Sequence, residues 1–112
     1  MSNPVAVLRH EVEYTTGKVL GDSLWMWCPA CDAAKCIPVN RSGGTFWVWD
    51  GNLEAPTLSP SILQHSGSTL PLCHSFLKGG VWDFLSDCTH SMAGQKVPMV
   101  PVPDWLMSDG SG

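Results

Sequence analysis

The segment His74-Ser75-Phe76-Leu77-Lys78-Gly79-Gly80-Val81-Trp82-Asp83-Phe84-Leu85 decides the fold. Two runs rich in aromatic and aliphatic residues flank a Gly-Gly pair, and a two-residue glycine turn between such runs reads as a β-hairpin. Its strands are expected over residues 74–78 and 81–85. Outward from this hairpin, turn-forming residues recur every eight to twelve positions and helical periodicity is almost absent. That pattern predicts a mainly β domain of short antiparallel strands.

Residues 23–28 read as a strand ending at Cys28, and residues 35–40 as its return, so that 28–36 form the tip of a metal knuckle. Residues 45–49 are aromatic and β-branched, with Trp47 and Trp49 expected on one face and Phe46 and Val48 on the other. Asp50-Gly51-Asn52 closes that run as a tight turn. A proline-bearing loop over 53–60 precedes a short strand at 61–65, and 66–71 is polar and turn-like. Asp87 is placed to cap one short helical turn over 88–93, with Gly94 as its stop. The prolines of 97–103 confine that stretch to an edge or the surface.

With 112 residues the chain is expected to form a single domain, 1–112, with a core about 23–103 and frayed ends at 1–4 and 108–112. The 44% hydrophobic content and net charge of −4 argue against long disorder. Six Lys and Arg against ten Asp and Glu argue against a partner read through its phosphates, so no nucleic acid is expected. The longest apolar run, residues 24–28, is far short of the roughly 20 residues of a membrane span. No basic, apolar and small-residue leader opens the chain, which reads as cytoplasmic and without a membrane partner.

Five cysteines in such a chain do not form a disulfide framework, because the cytosol keeps thiols reduced and an odd count leaves one over. Cys28-Pro29-Ala30-Cys31 instead has the spacing of a knuckle that brings two thiolates to one tetrahedral ion. Cys36 follows closely as a third ligand, and Cys73, heading the best-defined hairpin, is the distant fourth. The expected cofactor is Zn2+ held by Cys28, Cys31, Cys36 and Cys73, with Cys88 a buried thiol. A small Gly- and Pro-rich domain with a thin core gains from such a staple.

Successive strand side chains face opposite ways. If Cys73 takes the metal, His74 faces away from it and Ser75 shares the metal side. The polar residues left for chemistry are Ser61, His74, Ser75, Asp83, Asp87 and His90. A catalytic histidine needs a nucleophile on one side and an orienting carboxylate on the other.

The order of five motifs carries a family resemblance. Trp27-Cys28-Pro29-Ala30-Cys31, Trp47-Val48-Trp49-Asp50-Gly51, Pro56-Thr57-Leu58-Ser59-Pro60-Ser61-Ile62, Cys73-His74-Ser75-Phe76 and Asp87-Cys88-Thr89-His90-Ser91-Met92-Ala93-Gly94-Gln95 together resemble a family of small phage and bacterial proteins over roughly residues 23–100. Its bacterial members, called BubE, occur in ubiquitin-like conjugation operons and are regarded as serine peptidases that trim the ubiquitin-like partner. The resemblance implies Ser61 as nucleophile and His74 as general base, with His90 near the same cleft and His90 or Asp87 assisting. The order of His74 and Ser75 is exchanged relative to those members. Phage-type members carry His where this chain has Cys36, which implies Cys36 as a ligand.

Two functions follow. One is a zinc-stabilised serine hydrolase or peptidase acting on a peptide or ubiquitin-like protein. The other is a non-enzymatic phage zinc-binding module that engages a host protein through some of its six tryptophans. The sequence leaves the oligomeric state open.

Overall fold

The computed structural model describes residues 3–41, 44, 46–65 and 72–107. Strands β1 (Ala6–Val12), β2 (Val19–Cys28) and β3 (Ala33–Val39) form one antiparallel sheet in the order β1-β2-β3. Strands β4 (Val48–Trp49), β5 (Leu58–His65), β6 (Leu72–Lys78), β7 (Val81–Phe84) and β8 (Lys96–Pro98) form a second antiparallel sheet in that order. A single helical turn, α1 (Asp104–Met107), follows.

Alternation along the strands assigns the faces. Leu24, Met26 and Cys28 of β2, with Ile37 and Val39 of β3, join Leu58, Ile62, Cys73, Leu77, Trp82 and Phe84 of the second sheet in one buried cluster. The inner faces of the two sheets therefore share a core. Trp47 ties them together, donating its amide to Pro38 O and bridging to Val39.

The expected hairpin is present. Gly79 and Gly80, at φ +55° and +77°, supply the two left-handed positions that its turn needs. Gly80 also lies so close to Ala55 that a Cβ there would stand 3.0 Å from the Ala55 Cα. Trp47 and Trp49 pack against the core while Phe46 and Val48 are exposed. The tight turn is closed by Asp50 Oδ1, which accepts the Asn52 amide. Thr45 and the expected turn at 66–71 lie outside the described residues.

Three features depart from the sequence reading. Strand β1 and the first half of β2 were not expected, because Val12, Val19 and Leu20 point into solvent and blur the alternation. Asn3 and Pro4 are held to Val102 by hydrogen bonds. Residues 88–93 form turns rather than a helical turn, since Asp87 spends its carboxylate elsewhere. The helical turn is α1, anchored by buried Leu106 and by Arg9 donating to Leu106 O.

Candidate active site

Ser61 sits on β5 where the pairing with β6 shifts register between Leu58 and Ile62. Such bulges re-aim a side chain. Trp47 fixes the position by donating its indole N–H to Ser61 O at 3.2 Å. On β6, Cys73, Ser75 and Leu77 are buried, so the alternating His74 and Phe76 face outward. Ser61 Oγ and His74 Nε2 are 3.1 Å apart, and the other ring nitrogen, Nδ1, is 3.0 Å from Asp87 Oδ2.

The partners favour one tautomer. A carboxylate beside Nδ1 puts the ring proton there, leaving Nε2 as an acceptor for the Ser61 hydroxyl. This is the hydrogen-bond order of a serine nucleophile, a histidine base and an orienting carboxylate. The imidazole is a quarter exposed, so the array opens to solvent on one side of the second sheet.

Ser75 is fully buried on the core face, and its Oγ has no hydrogen-bond partner among the described residues. It stands on the opposite face from the His74 ring. His90 is not part of the hydrogen-bond chain Ser61–His74–Asp87. Its ring lies edge-on to Phe84 at 4.9 Å, and its Nδ1 accepts the Met92 amide. Burial and the nearby Lys35 charge push its pKa down. Asp87, rather than His90, is therefore the residue on the second imidazole nitrogen. In the sequence Asp87 stood beside His90 as a residue that could assist the base.

The sulfurs gather on the other face. Cys28, Cys31 and Cys73 bring their Sγ atoms within 4.8 Å of one another, a group able to hold a metal ion. The turn after β2 supports it. Asp32 takes the left-handed conformation, and the Cys31 amide donates to Cys28 Sγ at 3.4 Å. Cys28, hydrogen-bonded to Cys73 and facing Lys35, is held below the ordinary thiol range, while Cys28 and burial push Cys73 above it. A second group, Cys73, Cys88 and His90, shares Cys73.

Cys36 is left out of both groups, and register explains why. Met26 pairs with Lys35 and Trp25 with Cys36, so Lys35 points into the core and Cys36 to the outer face, where it is exposed. Lys35 is 1% exposed, with Nζ donating to Cys73 Sγ at 3.2 Å and lying 5.4 Å from the Trp82 ring centre. Sequence reasoning missed this buried cation, because lysine is almost never fully buried without a partner.

No helix among the described residues is long and apolar enough to cross a membrane. No curated protein and no solved structure matches the chain. The profile of BubE, the bacterial ubiquitination-like system serine protease, matches residues 3–85, a span that includes Cys28, Cys31, Ser61, Cys73 and His74. With most of its length matched, the chain belongs to the BubE family.

Proposed function

We propose that the protein is a serine peptidase that cleaves a peptide or amide bond of a protein substrate, in keeping with the ubiquitination-like system that the family name states. The observation that carries this reading is the continuous chain of hydrogen bonds from Ser61 through His74 to Asp87. The Ser61 hydroxyl gives its proton to His74 Nε2 as Oγ attacks the substrate carbonyl carbon. Asp87 holds the ring and offsets the positive charge that it gains. His74 then passes the proton to the departing amine, leaving an acyl group on Ser61. Water, deprotonated by the same nitrogen, releases the acid and restores the hydroxyl.

Cys28, Cys31 and Cys73 would hold a zinc ion, whose preference for thiolate sulfur suits this donor set. Bound there, it would tie the β2–β3 turn to β6 one residue before His74, supplying stability rather than a reaction step. The partner is a protein or peptide reached in the cytoplasm, that of a host cell if a phage encodes the chain.

A serine-directed fluorophosphonate tests the enzyme. Ser61 should be labelled in the native protein and not in the His74→Ala variant. If the native protein is neither labelled nor able to cleave peptide or ubiquitin-like substrates, the enzyme reading is wrong, and the module that binds a host protein takes its place. Metal analysis of the purified protein tests the zinc: one equivalent supports it, and a folded protein free of metal refutes it.

A further inference from the structure

Strand β7 ends at Phe84, whose register partner is Ser75. The next pair would set Leu85 against His74, and half of it forms: the Leu85 amide donates to His74 O at 2.9 Å. The other half does not, because Leu85 O is taken by the Cys88 amide at 3.1 Å as the chain turns. The main-chain N–H of His74 is thereby left without a backbone partner. A buried sulfur fills the place. Cys88 Sγ accepts the His74 N–H at 3.2 Å and lies 3.1 Å from His74 O, toward which it directs its own proton. Asp87, the preceding residue, meanwhile holds the ring through Nδ1.

We propose that Cys88 is a positioning residue for catalysis, gripping the main chain of His74 while Asp87 grips its ring. This rests on reading His74 as the general base. Two consecutive residues fix one histidine, Cys88 at its main chain and Asp87 at its ring, and a base displaced by about 1 Å loses about a hundredfold in rate. Cys88 also lies within 4.8 Å of Cys73 and His90, a group that could hold a metal. The hydrogen bonds favour the positioning role. Cys88 acts as both donor and acceptor toward His74, which takes a thiol, whereas a metal ligand is a thiolate. His90 accepts the Met92 amide at Nδ1, so its proton is on Nε2 and leaves no free lone pair there.

The test compares Cys88→Ala and Cys88→Ser with the native protein, all full-length. Serine keeps a donor and an acceptor at the site; alanine keeps neither. In Cys88→Ala the rate of Ser61 labelling by fluorophosphonate should fall about tenfold or more. The His74 amide, read by nuclear magnetic resonance, should exchange with solvent much faster. Both should return most of the way in Cys88→Ser, with metal content unchanged. A native labelling rate together with native amide exchange in Cys88→Ala overturns the proposal, as does loss of metal from Cys88→Ser. Should the native protein take no label, the peptidase reading fails on its own, and His74 amide exchange still decides whether Cys88 holds that residue. If Cys88→Ala does not fold, the native protein decides: a His74 amide that exchanges as fast as an exposed one overturns the grip.

Discussion

Cys73 and His74 follow one another on β6 and leave the second sheet on opposite sides: the sulfur meets buried Cys28 and exposed Cys31 on the inner face, and the imidazole meets Ser61 and Asp87 on the outer one. The period-2 alternation of a strand produces this division without any special loop. It also places a candidate metal ligand one peptide unit from the candidate base.

Metal removal should therefore be felt at both faces. Cys28→Ser, or treatment with a strong chelator, is expected to lower the melting temperature sharply and slow Ser61 labelling in parallel, since the energy of metal binding is also folding energy. Cys36→Ser should leave metal content, melting temperature and labelling unchanged, because Cys36 lies on the outer face of β3. Metal analysis beside thermal melts of the two variants checks this. Equal loss in both would return Cys36 to the ligand set.

The Ser61–His74–Asp87 array should behave as a unit. Ser61→Ala and His74→Ala are each expected to lose several orders of magnitude in turnover, and the double variant should be no worse than either. Asp87→Ala should lose about one to two orders less than these, because the exposed carboxylate orients the ring without reacting. All should stay folded, since none of the three side chains belongs to the buried cluster. Initial rates and circular dichroism on the four proteins test it, and strictly multiplicative losses would contradict it.

Much of this arrangement was legible in the chain. The Gly79-Gly80 hairpin, the knuckle turn after Cys28 and the opposed faces of Cys73 and His74 all follow from local rules of turn chemistry and alternation. Cys36 shows where such rules stop. Its closeness to Cys31 in sequence suggests a ligand, yet the register of β3 against β2 decides its face, and register is set by the whole sheet. Asp87 was legible as a helix cap and, beside His90, as a residue to assist the base; the choice between the two is made by the β6–β7 pairing and the turn that follows, which bring Asp87 to His74. Strand β1 was hidden for a different reason: its partner β2 exposes Val19 and Leu20, so neither strand shows a clean pattern there.

On the central strand of the first sheet, Asp22 accepts hydrogen bonds from Asn40 and from His10. The Asn40 bond, with further help from His10 and Arg41, holds the carboxyl below its ordinary range. A folded pKa below the unfolded one stabilises the fold at pH values above the ordinary carboxylate range, and the contribution is lost as pH falls through the folded value. Asp22→Asn should thus be less stable than the native protein near pH 6, and the gap should close as pH drops below about 4. Urea melts across that window measure it. A gap that widens toward acid would mean that the carboxylate is not the source.

Lys35 offers the sharpest test of the sulfur cluster. Its inward place is forced by its pairing with Met26, and its ammonium donates to Cys73 Sγ, lies over the Trp82 ring and acts on the nearby Cys28 and Cys31 thiols. A buried ammonium is strongly unfavourable unless an opposite charge accompanies it. Three thiolates and a divalent cation carry a net charge of about −1 by simple addition, which one lysine balances. Lys35→Met keeps the length and apolar stem while removing that balance. Its affinity for zinc is expected to fall about ten- to a hundredfold, the usual effect of losing an outer hydrogen-bond partner of a metal ligand. Circular dichroism should remain native, because methionine fills the space with little strain. Competition against a chromophoric chelator reads the affinity. A Lys35→Met protein that binds zinc as tightly as the native chain, and melts at a higher temperature, would show that the lysine is a tolerated burial cost and not the charge partner of a thiolate centre.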